Sequence, residues 1–143
     1  LNFTKDKNVQ LRNIPNFFTS VGTLIYKDDF AFINKDYQDF IIYYDKLTKN
    51  HECVTVVTID NAIPYFLKKP TCSKFYISFT SSPEYIQKKF VNEISVKKPV
   101  YIAYESLMDG YVKHPQLHIV KKYILQNYSF FKKINKWTIY KIN

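Results

Sequence analysis

The sequence predicts a three-layer α/β domain, in which a mainly parallel sheet of about four to five strands carries helices on both faces. Two observations predict this class. Residues 53–59 are almost wholly β-branched or apolar, which is typical of a strand buried on both faces of a parallel sheet. Strand-like runs also alternate with helical patterns along the chain, which is the order that right-handed crossovers produce.

The composition fits one ordered domain. The chain has 143 residues, with 13 Tyr and 12 Phe but only 2 Gly. So many rings supply a hydrophobic core and argue against disorder. Polar and turn-forming residues dominate the start of the chain, so we expect an irregular tether over residues 1–20 and a single α/β domain over residues 21–143.

The formal net charge is +9, from 21 basic and 12 acidic residues, and Arg12 is the only arginine. Base readout and bidentate phosphate recognition favour arginine, so we expect no nucleic-acid partner. The lysine excess fits a solvated surface, or an anionic partner such as phospholipid headgroups or a polyprenyl phosphate. No run reaches the roughly 18 apolar residues of a membrane span. Because the sequence does not begin with Met, we expect a fragment of a longer protein.

Two elements are expected before the central strand. Residues 23–27 and 30–33 are strand-like and predict an edge hairpin. Over residues 36–49, the apolar side chains share one helical face that is expected to pack on the sheet; they are Tyr37, Phe40, Ile41, Tyr44 and Leu47.

After the strand at residues 53–59, the pattern predicts a short helix over residues 62–69, which Pro70 ends, and a second strand over residues 74–79. The next helix starts well, with Ser82 as its cap and Pro83 at its first position. It runs to about residue 96 and buries Ile86, Phe90 and Ile94.

A third strand is predicted over residues 100–104, and a fourth long helix from His114 through Tyr128. This helix directs Leu117, Val120 and Ile124 inward. Residues 130–142 predict one or two terminal strands.

Cys53 and Cys72 fall at corresponding ends of two predicted neighbouring strands. Parallel strands lie about 4.8 Å apart, which is compatible with a disulfide. We favour that bridge over two buried free thiols, and it would indicate an oxidising, extracytoplasmic compartment.

The carboxyl ends of the predicted strands carry polar side chains, and ligands bind beyond this edge in open parallel sheets. Helix capping explains several of these residues equally well. No glycine-rich turn follows any strand, so the domain is Rossmann-like without a nucleotide fingerprint, and no cofactor is expected. The candidate ligand-binding residues are Asp60, Asn61, Ser81, Ser82 and Glu105.

Two other patterns have several interpretations. His114 and His118 share a helical face as metal ligands do, but no third ligand is evident, so no metal site is expected. Lysines and aromatic residues interleave over residues 121–137. This pattern suits base stacking, a membrane interface, or a final helix and strand with buried rings and solvated lysines.

A resemblance to a known family covers residues 36–143. It rests on three segments, ECVTVVTIDNAIPYFLKKPTCSKFYISFTSSPEYIQKKFVNEI, KPVYIAY and YILQNYSFFKKINKWTIYK. They resemble the soluble C-terminal domain of bacterial polytopic membrane proteins similar to GT-C glycosyltransferases, which use polyprenyl-phosphate sugars. In that class the catalytic acids lie in loops between membrane helices, so no catalytic residue is carried over. The resemblance implies a periplasmic, membrane-tethered domain whose partner is the transmembrane part of the same polypeptide.

Three hypotheses follow from the sequence. The first is an extracytoplasmic domain of a membrane glycosyltransferase-like protein, which helps to position the acceptor or the lipid-linked sugar and is not catalytic alone. The second is a stand-alone small transferase that binds an anionic ligand at the carboxyl edge of the sheet. The third is a non-enzymatic interaction module.

Overall fold

The computed structural model describes residues 29–58, 60, 62–75, 83–109 and 117–143. The chain divides into two units, Leu1–Asn34 and Lys35–Asn143. The described part of the first unit contains a 3-10 helix, Asp29–Phe32, so the strand expected over residues 30–33 is wrong. Aspartates favour turns over strands, which accounts for this. The predicted tether over residues 1–20 and the strand over residues 23–27 lie outside the described residues.

The second unit contains four α-helices and four strands among its described residues, and a 3-10 helix, Ser106–Asp109, follows one of the strands. The elements in chain order are α1 (Lys35–Leu47), β1 (Val56–Val57), α2 (Ala62–Leu67), α3 (Glu84–Lys97), β2 (Tyr101–Glu105), α4 (His118–Asn127), β3 (Tyr128–Ile134) and β4 (Trp137–Ile142).

The four strands form one mixed sheet in the order β1-β2-β4-β3. Strands β1 and β2 are parallel, whereas β4 is antiparallel to both of its neighbours. The expectation of a mainly parallel, Rossmann-like sheet is therefore not met by the described strands. The physical reason is the two-residue turn between β3 and β4, since so short a connection joins only antiparallel strands. Asn135 in this turn has φ 50°, a left-handed conformation that asparagine tolerates.

The two strands predicted around the cysteines are shorter than expected. Of residues 53–59, Val56–Val57 form a strand and Val54 forms an isolated parallel bridge with Thr71. Lys74 and Phe75 are not in a strand, and the rest of the second predicted strand lies outside the described residues.

Helix α1 covers one face of the sheet. The Phe40 ring stacks on Trp137 of β4, with centroids 4.4 Å apart. The Tyr44 hydroxyl donates to the carbonyl oxygens of Thr55 and Tyr101 at 3.0 and 3.1 Å, and burial raises the pKa of Tyr44. The predicted inward face of this helix is confirmed, because Phe40, Ile41 and Tyr44 are buried.

Helices α3 and α4 cover the opposite face. The strand residues of this face are Ile102 and Tyr104, which alternate with the α1-facing residues of β2. The buried cluster here joins them to Val57, Phe90, Ile94, Leu117, Val120, Ile124 and Tyr128. Helices on both faces are thus confirmed. Among the described helices, none has the length and apolarity that a membrane crossing requires.

The start of α3 differs from its prediction. Pro83 precedes the helix as its N-cap residue instead of occupying the first helical position, and Ser82 lies outside the described residues. The C-terminus ends on Lys98 in the left-handed conformation, whose N–H donates to the Ile94 carbonyl oxygen at 2.8 Å.

Candidate functional site

The carboxyl edge of the parallel pair holds a buried carboxylate. Thr58 follows β1 and Glu105 ends β2, and their register places both side chains at the same edge. The Thr58 hydroxyl donates to Glu105 Oε2 at 2.5 Å, and Lys136 Nζ lies 2.6 Å from Oε1. Glu105 is 0% exposed, and these two donors stabilise its charge inside the domain.

Lys136 reaches this carboxylate from the turn between β3 and β4. Its Nζ also donates to the Tyr37 hydroxyl at 2.7 Å and lies 4.1 and 4.7 Å from the ring centroids of Tyr37 and Trp137. Burial disfavours the ammonium charge, but Glu105 and Tyr37 outweigh that effect, and the pKa of Lys136 is raised. The ion pair, together with the rings of Tyr37 and Trp137, therefore links α1 and β2 to the hairpin formed by β3 and β4.

Asp60 lies beside this cluster and caps α2. Its Oδ1 accepts a hydrogen bond from the Ala62 N–H at 2.9 Å, and its own N–H donates to the Thr58 hydroxyl at 3.1 Å. The structure thus brings Asp60 and Glu105 to one edge, linked through Thr58. The other candidate ligand residues, Asn61, Ser81 and Ser82, lie outside the described residues.

The space at this edge is small. A cavity of about 20 Å³ lies between β1, α2 and the segment around Cys72, and its polar lining residues are Thr55, Thr58, Asp60, Thr71 and Ser73. This volume holds about one water molecule. In the described part of the edge, the Glu105 carboxylate is buried in an ion pair with Lys136, so it is better placed to stabilise the fold than to bind a ligand.

A larger cleft, of about 430 Å³, lies at the opposite edge, where β1 and β2 begin. Its wall contains both cysteines, His51, Lys97 and Lys98. The sequence prediction missed this cleft because it followed the rule for carboxyl edges. A sequence signal for this cleft was present, because His51 and the pair Lys97 and Lys98 stand just before the two parallel strands.

The predicted disulfide is present. Cys53 and Cys72 are bonded, with their Cα atoms 5.0 Å apart. They flank the parallel bridge between Val54 and Thr71, in which the Cys72 N–H donates to the Val54 carbonyl oxygen at 2.9 Å. Cys72 is buried and Cys53 is half-buried, so the bridge lies at the wall of the cleft with one end in the core.

Glu93 of α3 holds the segment that follows the disulfide. Its Oε2 accepts hydrogen bonds from the Ser73 hydroxyl at 2.7 Å and from the Lys74 N–H at 3.0 Å. Partial burial works against the charge on Glu93, but these donors prevail and lower its pKa. The covalent bridge is therefore supported by a charged anchor on α3.

No metal site is evident in the part of the chain that the structure describes, since it contains no group of three or more His, Cys, Asp and Glu placed to hold an ion. His118 is exposed and its Nε2 lies 3.7 Å from Glu84 Oε1. His114 lies outside the described residues.

No known protein family matches this chain. No curated protein matches it either. Among solved structures, it is similar to the C-terminal globular domain of an oligosaccharyltransferase from Archaeoglobus fulgidus, with a TM-score of 0.46 and 12% sequence identity. The similarity covers 78% of this chain and 99% of that one. It assigns no family or activity to this chain.

Proposed function

We propose that this chain is the extracytoplasmic domain of a membrane-bound glycosyltransferase-like protein. In that protein the domain helps to position the acceptor or the lipid-linked sugar and is not catalytic alone. The observation that carries the proposal is the bond between Cys53 and Cys72. Structural disulfides persist in oxidising compartments and are rare in the cytosol, so the bond supports a location outside the cytoplasm.

The sequence around the bridge supports the class of protein. The segments that resemble the soluble C-terminal domains of GT-C-like membrane proteins include both cysteines and most of each strand of the described sheet. In such a protein the chemistry belongs to loops of the transmembrane part, and the transmembrane part of the same polypeptide is the partner of this domain.

A positioning role is supported by the state of Glu105. Glu105 is the more deeply buried of the two acidic residues in the candidate site. Its carboxylate contacts Thr58 and Lys136 inside the domain. A general acid or base has to reach the proton that it transfers, within hydrogen-bond distance or through one water. A fully buried carboxylate held in an ion pair is better suited to stabilising the fold.

The proposal predicts how sugar transfer divides between the two parts of the protein. The isolated 143-residue chain should transfer no sugar from a polyprenyl-phosphate donor. Removing residues 35–143 from the full-length protein should lower transfer, whereas Glu105→Gln in the full-length protein should retain it. Transfer would be measured with a radiolabelled donor in membranes.

Two results of that experiment would contradict the proposal. Transfer by the isolated chain would favour the stand-alone transferase that binds an anionic ligand. Unchanged transfer after removal of residues 35–143 would favour an interaction module.

A further inference from the structure

Strand β3 forms one edge of the described sheet, where it pairs with β4. Its residues 129–133 are exposed, and Phe130 and Phe131 keep 66% and 40% of their surface in solvent. We call the exposed side chains of Phe130, Phe131, Lys132 and Lys133 the edge patch. Two adjacent exposed rings beside two lysines make this edge a candidate surface for a partner.

The helix and the hairpin that carry the edge patch are basic, whereas α1, which contacts the patch through Tyr43, contains Asp36, Asp39 and Asp45. All 12 acidic residues of the chain precede Gly110, so α4, β3 and β4 contain no carboxylate side chain. Lys132 Nζ lies 4.5 Å over the Tyr43 ring of α1, and Lys133 is exposed. A partner that suits this patch therefore offers both an apolar region for the rings and negative charge for the lysines.

The two rings leave the edge on opposite faces of the sheet. Phe130 pairs with Tyr140 in the register, on the face that α3 and α4 cover. Strand alternation places Phe131 on the other face, where its ring centroid lies 5.3 Å from that of Tyr101. The irregularity between Phe130 and Lys132 puts Lys132 on that same face, because Lys132 pairs with Ile139. Base stacking on a nucleic acid needs rings on one platform, and this arrangement does not provide it.

A second copy of the chain is also a poor partner. Two β3 strands that paired edge to edge would bring the Lys132 and Lys133 side chains of both copies together, and like charges on an edge oppose such pairing. The headgroup zone of a bilayer accepts aromatic rings and lysines at the same depth, whichever face of the sheet they come from.

We propose that the edge patch is the surface by which this domain lies on an anionic bilayer. Phe130 and Phe131 enter the headgroup zone, and Lys132 and Lys133 contact the acidic headgroups. This inference goes beyond the proposed function and does not need it, because binding to lipid is a property of the chain alone.

The test is co-sedimentation of the full chain with vesicles of phosphatidylcholine, with and without phosphatidylglycerol. Binding is expected to the vesicles that contain phosphatidylglycerol and to weaken as salt is added. Lys132→Gln/Lys133→Gln should weaken binding about 25-fold, since each lysine near an anionic surface contributes about fivefold. Adding Phe130→Ser to this double variant should weaken vesicle binding further and leave the melting temperature of the domain nearly unchanged.

Lys88→Gln/Lys89→Gln on α3 is the matched control, because both lysines are exposed and the variant has the same net charge. It should bind like the wild type. Equal loss in both lysine pairs would overturn the proposal, since net charge alone would then account for binding. Failure of the wild type to bind, or a preference for a single-stranded oligonucleotide over the vesicles, would overturn it as well.

Discussion

Lys136→Met is expected to lower the free energy of unfolding by about 3 kcal/mol at neutral pH. The substitution keeps a long apolar side chain between the rings of Tyr37 and Trp137 but removes the cation beside Glu105. Glu105 is 0% exposed, so its carboxylate would remain buried without the Lys136 ammonium, while its hydrogen bond from Thr58 would persist. Urea unfolding followed by tryptophan fluorescence measures the loss, because Trp137 is the only tryptophan.

The control for this variant is Lys133→Met, which removes an exposed lysine of the same hairpin and should cost little. Glu105→Gln/Lys136→Met removes both charges and should recover much of the stability that the single variant loses. If Lys136→Met and Lys133→Met unfold at the same urea concentration, the ion pair does not hold the carboxyl edge together.

The stability that Lys136 provides should depend on pH in one direction. Its folded-state pKa is raised above the ordinary lysine value of 10.5. The contribution is therefore fully present below pH 10.5 and is lost as the pH rises through the folded-state pKa. The difference between the wild type and Lys136→Met should be constant near neutral pH and shrink in strongly alkaline solution.

Reducing the bond between Cys53 and Cys72 is expected to lower the free energy of unfolding by about 3 kcal/mol. The two cysteines are separated by 19 positions, and opening this loop increases the conformational entropy of the unfolded chain. The loop contains β1, Thr58 and α2, and Glu93 holds Ser73, the residue that follows it. Thermal unfolding with and without a phosphine reductant measures the effect.

Cys53→Ala/Cys72→Ala provides the control, since its melting temperature should be lower than that of the wild type and should not respond to reductant. A wild-type melting temperature that is unchanged by reduction, with both thiols shown to be free by alkylation, would mean that the bridge adds no stability.

The local features of the fold could be predicted from the sequence. Helical faces such as Phe40 with Tyr44, and Phe90 with Ile94, follow from a spacing of four residues, which depends only on the helix itself. The disulfide could also be predicted from the sequence. Cys53 and Cys72 lie beside Val54 and Thr71, which pair in parallel in the structure.

The direction of the last strands could not be predicted by the alternation of strands and helices. That pattern assumes a helical crossover before every strand, whereas β3 and β4 are joined by a turn at Asn135 and Lys136. Strand β4 then enters the sheet beside β2, which places Lys136 next to Glu105 although 31 positions separate them in the sequence.

The candidate site was predicted in part. The carboxyl-edge rule placed Asp60 and Glu105 at one edge, where the structure has them, because β1 and β2 are parallel. Their binding of a ligand stays a prediction. It gave no indication that Tyr37 and Lys136 would complete the cluster, since both come from elements whose contact with this edge depends on the tertiary fold.

The proposed function requires that the domain lies outside the cytoplasm, and surface labelling of intact cells measures this. Spheroplasts of the source cells would be treated with an amine-reactive label that does not cross the cytoplasmic membrane, and labelling of the chain's lysines would be compared before and after lysis. A domain outside the cytoplasm should be labelled to the same extent in both samples, with a cytosolic protein labelled only after lysis. Labelling of this chain only after lysis would contradict the proposed function.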